Sequence, residues 1–187
     1  MFDNIKEELI KNIGLKRYNH SLGVMNVATK LAVKYDCDVE KAKTAGVLHD
    51  CAKFRDKSQL FDAAKHFNLK IDRIMQKNTE LIHGPLGAKI ANACYGIDDL
   101  EVLDAIKYHT IGRENMSMLD KIIYIADYIE PGRSFPGVEE IREIVFLDLD
   151  DAIKKAMDNT ILFLIKDNKL IHPDTINARN YMLYNEE

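Results

Sequence analysis

Histidines and aspartates that could together bind a metal ion are spread along this 187-residue sequence. They fall in five segments with helical periodicity, and the set consists of His20, His49, Asp50, His83, His109 and Asp127. Helical bundles build metal sites from such side chains on facing helices. The set therefore indicates a metal centre, provided that the fold brings the five segments together.

Each of these residues taken alone also has an ordinary structural explanation. A core histidine such as His20 or His49 is often only hydrogen-bonded to a carbonyl group. His109, at the end of a helix, would be stabilised by the helix dipole. Asp127 lies among isoleucines, where an acid needs a partner, and a buried ion pair would supply one.

His20 and the His49-Asp50 pair are predicted to lie on buried helix faces. His20 opens an apolar stripe in a helix predicted over residues 17–35. Gly46 and other small residues precede His49 at helical spacing, so the pair is expected inside an apolar helix.

Helix signals also surround the two later histidines. Pro85 is predicted to be the first residue of a helix, which leaves His83 at a helix N-terminus, where free N–H groups favour an anion. Asp98 is the predicted cap of the following helix, and His109 falls in its last turn.

The segment that carries Asp127 begins at a capping box. Ser117 and Asp120 have the required spacing and open a strongly apolar helix. Two prolines and two glycines then predict a loop over residues 130–137. Within this loop, Arg133 could turn back toward Asp127 and offer a bidentate donor to a phosphate group.

The sequence predicts an all-α fold, a compact bundle of roughly nine to eleven helices. Periodicity is helical almost throughout, with no convincing alternation of the strand type. One domain over residues 1–187 is expected, with the metal-site core at about residues 15–130 and C-terminal helices completing the core and the substrate pocket. Two closely packed helical subdomains are the alternative.

Composition excludes several classes of protein. A net charge of −4 argues against a nucleic-acid binder, although a small anionic ligand remains compatible with it. Three widely spaced cysteines fit a reducing cytosol. The N-terminus lacks signal-peptide features and no run of 18 apolar residues occurs, so a cytoplasmic protein away from membranes is expected. The C-terminal apolar helices either complete the core or bury a homodimer interface.

These motifs resemble the HD superfamily of metal-dependent phosphohydrolases. Its H…HD…D signature is matched by His20, His49-Asp50 and Asp127. The runs at residues 83–88, 108–110 and 126–133 also resemble the bacterial YqeK-type family of symmetrical diadenosine tetraphosphate hydrolases, over essentially the whole chain. The last run, Ala-Asp-Tyr-Ile-Glu-Pro-Gly-Arg, is the most specific of the three.

The resemblance implies a set of metal ligands and a metal. The implied ligands of the principal metal are His20, His49, Asp50 and Asp127. The family implies iron, whereas ligand chemistry alone also suits manganese, magnesium or zinc. His83 and His109 are implied either to hold a second metal or to contact substrate phosphates.

The resemblance further implies how the reaction proceeds. A metal-activated water would attack a phosphorus beside the central anhydride oxygen of a dinucleoside tetraphosphate and release two nucleoside diphosphates. The expected catalytic residues are Asp50, Asp127, His83 and His109. The expected substrate contacts are Asn19, His83, His109, Arg133, and His172 and Thr175 from the turn at residues 170–176. Of the walls of the pocket, only Arg133 has strong motif support.

Two other functions stay open at the level of sequence. HD-type nucleotidases act on nucleoside mono- or triphosphates with nearly the same metal set. A metal-dependent nucleotide sensor with little turnover is the second alternative, and the intact ligand set counts against it.

Overall fold

Helices account for all the regular structure in the computed structural model, which describes residues 2–184 and the side chains from residue 5 onward. No strand occurs in this range, and the predicted all-α bundle of nine to eleven helices is confirmed. The α-helices are α1 (Phe2–Ile13), α2 (Leu15–Lys34), α3 (Val39–Leu48), α4 (Lys57–His66), α5 (Arg73–Lys77), α6 (His83–Tyr95), α7 (Leu100–Tyr108), α8 (Met118–Ile129), α9 (Val138–Ile144), α10 (Leu149–Lys166) and α11 (Pro173–Tyr184). A 3₁₀ turn, Thr79–Ile82, runs directly into α6.

The centre of the bundle is formed by α2, α3, α7 and α8, in which α3 and α8 pack on each other and on both α2 and α7. The apolar face of α8 supplies much of the core through Ile122, Ile123 and Ile125, which are fully buried. The predicted capping box at Ser117 and Asp120 is present at the start of this helix. Burial of α8 therefore holds Asp127 in the middle of the bundle.

Two glycines allow the helices that carry the histidines to approach closely. A Cβ atom at Gly46 would lie 2.8 Å from Met25 Cα, so α3 packs backbone to backbone against α2. A Cβ atom at Gly84 would lie 2.6 Å from the carbonyl oxygen of Lys107, which brings α6 against the end of α7. Side chains at either position would separate these helices.

The structure corrects three local predictions. His49 and Asp50 are not inside a helix, because α3 ends at Leu48 and the chain turns there through a hydrogen bond from the Cys51 amide to the Leu48 carbonyl, 2.9 Å. Helix α6 begins at His83 rather than at Pro85. Proline is still tolerated there, because the first-turn amides of a helix have no partner inside it.

The cap of α7 is Asp99 and not Asp98. The Asp99 carboxylate accepts hydrogen bonds from the amides of Glu101 and Val102, at 2.9 and 3.2 Å. Asp98 instead accepts a hydrogen bond from Asn92 at 2.9 Å. The two neighbouring aspartates are equally good caps by residue type, so the sequence alone does not distinguish them.

The C-terminal helices cover one side of α8. Helix α10 packs on α8, α9 and α11, and its first half is buried through residues such as Ile153 and Met157. Its second half exposes Leu162, Phe163 and Ile165. None of the helices in residues 2–184 is both long enough and apolar enough to cross a membrane.

Gly46→Ala is expected to destabilise the fold. Overpacking against the α2 backbone costs about 1–3 kcal/mol, which exceeds the gain of about 1 kcal/mol in helix propensity. Urea unfolding of the metal-free protein measures the difference. Val33→Ala, on the solvent-facing side of α2, is the control and should change stability by no more than about 0.5 kcal/mol. Equal unfolding free energies for Gly46→Ala and the unmodified protein would contradict the packing argument.

Candidate metal centre

Six side chains from five helical segments meet at the centre of the bundle. Their positions are His20 on α2, His49 and Asp50 at the end of α3, His83 at the start of α6, His109 at the end of α7 and Asp127 on α8. Each potential ligand atom belongs to a group of three that lies within 4.8 Å. The fold therefore brings together the whole histidine and aspartate set that the sequence indicates.

Three of the histidines are oriented by the backbone just before them. Each hydrogen-bonds through Nδ1 to the carbonyl oxygen three residues earlier, where a helix or turn ends and its carbonyl groups have no partner within the helix. The pairs are His49 with Gly46 (2.8 Å), His109 with Ile106 (2.7 Å), and His83 with Glu80. Because a carbonyl oxygen only accepts, each Nδ1 carries the hydrogen and each Nε2 is left with a lone pair.

His20 lies within α2 and is oriented by a carboxylate instead. Its Nδ1 lies 3.1 Å from Oε1 of Glu130, so Nδ1 donates here as well. Its Nε2 then points at Oδ1 of Asp127, 3.0 Å away, and at Oδ2 of Asp50, 3.6 Å away. All four imidazoles thus direct Nε2 toward the same small volume.

The first group of ligand atoms has the spacing of a metal site. Nε2 of His20 lies 3.3 Å from Nε2 of His49, which in turn lies 3.4 Å from Oδ2 of Asp50 and 3.9 Å from Oδ1 of Asp127. Metal–ligand bonds of about 2.1 Å place neighbouring ligands about 3 Å apart. These residues therefore fit a divalent cation.

A second group shares Asp50 with the first. Oδ1 of Asp50 lies 3.2 Å from Nε2 of His83 and 3.7 Å from Nε2 of His109, and the two histidine nitrogens are 2.9 Å apart. Burial lowers the pKa of His83 to about 3 and that of His109 to about 4, so both are neutral near pH 7. Asp50 could thus bridge two cations, one through each oxygen.

The carboxylates of Asp50 and Asp127 attract positive charge to this centre. Burial would lower the pKa of His49, but the carboxylates of Asp50 and Asp127 outweigh it, so the pKa is raised. Arg17 donates to Oδ2 of Asp50 at 3.0 Å, and Arg133 donates to Oδ1 of Asp127 and, at 2.9 Å, to its backbone carbonyl. A divalent cation would supply the same compensation in place of protons.

Two cavities lie beside the centre. The larger has a volume of about 990 Å³ and includes His20, His83 and Arg133 in its wall. Its lining is rich in cations, namely Lys16, Arg17, Lys53, Arg55, Lys57 and Arg133. The smaller, of about 200 Å³, is lined by His109, Thr110, Tyr124, Asp127, Tyr128, Arg133, Phe135 and Thr160. Arg133 is common to both cavities.

The expected substrate contacts divide into two groups. Asn19 lines the larger cavity, and Arg133 turns back toward Asp127 as the sequence suggested. The structure does not bring His172 or Thr175 to either cavity wall. His172 is buried with Nε2 2.8 Å from Oδ2 of Asp72, which fixes the turn before α11 to the start of α5.

Several residues of the site were missed in the sequence. Arg17 precedes His20 by three residues and Lys53 follows Asp50 by three, spacings that place side chains on one side of a helix or turn. Glu130 belongs to the motif run at residues 126–133 but had no assigned role. Its position against His20 depends on contact between α2 and the end of α8, which local sequence does not reveal.

The fold and this set of potential ligands define an all-helical protein with a candidate centre for a divalent metal, and comparison with known proteins gives its family. Residues 17–132 match the HD domain family. The chain belongs to the HD domain family, in which the histidine–aspartate centre implies a divalent metal.

Similar proteins extend the match along the chain. A protein of Bacillus subtilis named symmetrical bis(5'-nucleosyl)-tetraphosphatase is 40% identical over 179 residues, which cover 96% of this chain and 94% of that one. A Staphylococcus aureus protein of the same name is 45% identical, covering 92% and 89%. A crystal structure from Clostridium acetobutylicum, described as a predicted HD superfamily hydrolase involved in NAD metabolism, is 46% identical with a TM-score of 0.95, covering 100% and 98%.

Asp50→Asn is expected to remove bound metal, because Asp50 contributes one oxygen to each group of ligand atoms and the amide carries no charge. Elemental analysis of the purified variant measures the loss. Asp150→Asn, at an exposed residue on α10 that pairs with Lys121 at 2.7 Å, is the control and should keep the metal content of the unmodified protein. A full metal complement in Asp50→Asn would contradict the assignment.

Proposed function

We propose that the protein hydrolyses diadenosine tetraphosphate symmetrically into two molecules of ADP. The observation that carries the proposal is a centre for a divalent metal between two cavities that share Arg133. Arg133 and the metal position lie where the two cavities meet, so a phosphate chain that reaches from one cavity toward the other would pass both. Relatives that are 40–46% identical and carry the name of this activity support it.

The charge in the larger cavity supports a polyphosphate substrate. Six cationic side chains line it, against the two carboxylates of Glu80 and Glu130, in a protein whose net charge is −4. A concave wall with one sign of charge concentrates the field and attracts a ligand of the opposite sign. The cations offset the repulsion between substrate phosphates and the overall acidic surface.

We assign the metal to His20, His49, Asp50 and Asp127, as the HD signature implies. A bound divalent metal would lower the pKa of a water molecule so that hydroxide is available near neutral pH. Oδ1 of Asp127 accepts a hydrogen bond from Arg133 and faces Nε2 of His20 across the metal position, so Oδ2 is the atom that would orient the attacking water and accept its proton. Asp50 would bind metal and, where two ions are present, bridge them.

We assign charge stabilisation to His83, His109 and Arg133. Arg133 lies at the junction of the cavities, where its planar guanidinium can donate two hydrogen bonds to a phosphate group. His83 and His109 direct Nε2 toward Asp50, and they either contact the phosphates or hold a second ion. Donors fixed in advance around developing charge stabilise a transition state electrostatically. Asn19, His172 and Thr175 stay proposed as substrate contacts, with only Asn19 supported by its place in a cavity wall.

We propose iron as the native metal, on the strength of the family resemblance. Manganese, magnesium and zinc are compatible with the same imidazole and carboxylate ligands. Elemental analysis of protein purified without oxygen distinguishes them.

We further propose a single domain over residues 1–187, located in the cytoplasm, with a small nucleotide rather than nucleic acid as its ligand. The net charge and the cysteine content support the last two points. A homodimer is supported by the apolar side chains that the end of α10 exposes, Leu162, Phe163 and Ile165. Light scattering at several protein concentrations tests it.

Product analysis tests the proposed reaction. With iron, manganese or magnesium added, chromatography should show ADP as the sole nucleotide product of diadenosine tetraphosphate. ATP with AMP would indicate an asymmetric cut and contradict the proposal. Release of phosphate from nucleoside mono- or triphosphates, with the tetraphosphate left intact, would instead favour an HD-type nucleotidase. Tight nucleotide binding without turnover for any metal would favour a sensor.

Arg133→Ala is expected to lower kcat/KM for the tetraphosphate by about 100-fold, the usual effect of losing one donor to a transition state. The kcat/KM of Arg133→Lys should fall between those of the unmodified enzyme and Arg133→Ala, because lysine keeps the charge but not the planar pair of donors. Steady-state kinetics of ADP release gives the values. Arg73→Ala, at an exposed residue of α5, is the control and should match the unmodified enzyme. Full activity in Arg133→Ala would refute its role.

A further inference from the structure

Glu130 is a buried acid that the reaction scheme above leaves without a role. Its side chain is 7% exposed, and it follows the last residue of α8. An unpaired carboxylate would be costly to bury at this depth. We propose that Glu130 is a positioning residue, which holds the His20 ring in the orientation that directs Nε2 toward the metal and thereby tightens metal binding.

The carboxylate of Glu130 is held at both oxygens. Oε1 accepts a hydrogen bond from Nδ1 of His20 at 3.1 Å, and Oε2 accepts one from the backbone amide of Gly132 at 2.7 Å. Nε of Arg133 lies 4.0 Å from Oε1. These partners fix the carboxylate plane, so its direction toward His20 does not depend on a flexible side chain.

Two glycines make room for this carboxylate. A Cβ atom at Gly23 would lie 2.7 Å from Oε2 of Glu130, and one at Gly132 would lie 2.8 Å from Oε1. Gly23 follows His20 by three residues and so lies on the same face of α2. The helix that carries the histidine therefore also has the gap that receives its partner.

The choice of acceptor distinguishes His20 from the other three histidines. Nδ1 donates a hydrogen bond to a neutral backbone carbonyl in His49, His83 and His109. In His20 it donates to a carboxylate. A carboxylate fixes the same tautomer and also makes Nε2 a stronger base, and losing such an outer partner costs about 10–100-fold in metal affinity. His20 sits inside α2, where backbone carbonyls are already bonded, so only a side chain could orient it.

Metal titration tests the proposal. Protein stripped with a chelator is titrated with Mn²⁺ in competition with a metallochromic indicator, for the unmodified chain and for Glu130→Gln. The amide keeps the shape but removes the charge, and we expect Kd to rise by about 10–100-fold. The control is Glu143→Gln, at an exposed residue of α9, which should leave Kd unchanged.

A second variant separates positioning from stability. Gly23→Ala keeps the Glu130 charge but places a methyl group against Oε2, and it should also weaken Mn²⁺ binding. Urea unfolding of the metal-free variants measures their stability. If Glu130 had only a structural role, the variants would be less stable, but the folded protein would bind Mn²⁺ with an unchanged Kd. An unchanged Kd for Glu130→Gln overturns the proposal. If that variant does not fold, an unchanged Kd for Gly23→Ala overturns it instead.

The inference rests on the proposed metal centre but not on the substrate. Weaker Mn²⁺ binding in Glu130→Gln would support it even if diadenosine tetraphosphate were not cleaved. Conversely, symmetrical cleavage by the unmodified enzyme together with equal Mn²⁺ affinities would leave the proposed function standing and refute the role of Glu130.

Discussion

A buried carboxylate, Asp50, and a partly buried one, Asp127, face four imidazole Nε2 atoms, and this cluster is the constraint on which the bundle depends. Asp50 directs one oxygen toward His20 and His49 and the other toward His83 and His109. Such a concentration of electron pairs in a low-dielectric core is unfavourable unless positive charge compensates it. The carboxylates raise the pKa of His49 against the effect of its burial, which shows how strongly they attract positive charge, and a divalent cation matches both the charge and the spacing.

The backbone arrangement follows from the need to direct the Nε2 atoms of the four histidines toward one centre. Placing a histidine at a helix end gives its Nδ1 a free carbonyl three residues earlier, which is the solution at His49 and His109. The ends must then be brought together, which requires close helix contacts at Gly46 and Gly84. Local hydrogen bonding and helix packing therefore serve the same geometric end.

The sequence predicted the helical class and the cluster because both depend on patterns of residue type. Apolar periodicity identifies helices, and an acid such as Asp127 among isoleucines requires a partner somewhere. Helix boundaries and caps were predicted wrongly where two local arrangements have similar free energies. Asp98 and Asp99 are both capable caps, and an apolar run does not show that α3 stops at Leu48, before His49.

Contacts between distant segments were also not predicted, because no local sequence pattern encodes them. The turn at His172 has the polar groups of a ligand site, yet its imidazole is held by Asp72, one hundred residues earlier. Glu130 and His20 are likewise 110 residues apart. Sequence reasoning recognises that such a residue needs a partner, while only the packing of helices shows which partner it has.

The end of α8 shows how one short run can serve several parts of a site. Asp127 lies in the last turn of the helix, Glu130 follows its end, and Arg133 returns in the loop to bond Asp127. Ending the helix at Ile129 is what separates these roles, because a continuing helix would carry Arg133 almost two turns away from Asp127. Instead the chain folds back so that one carboxylate faces the metal position, the second orients His20, and the guanidinium lies at the junction of the two cavities. The specificity of this run as a motif thus has a physical basis, since a change at any of the three residues disturbs the same few ångströms of the centre.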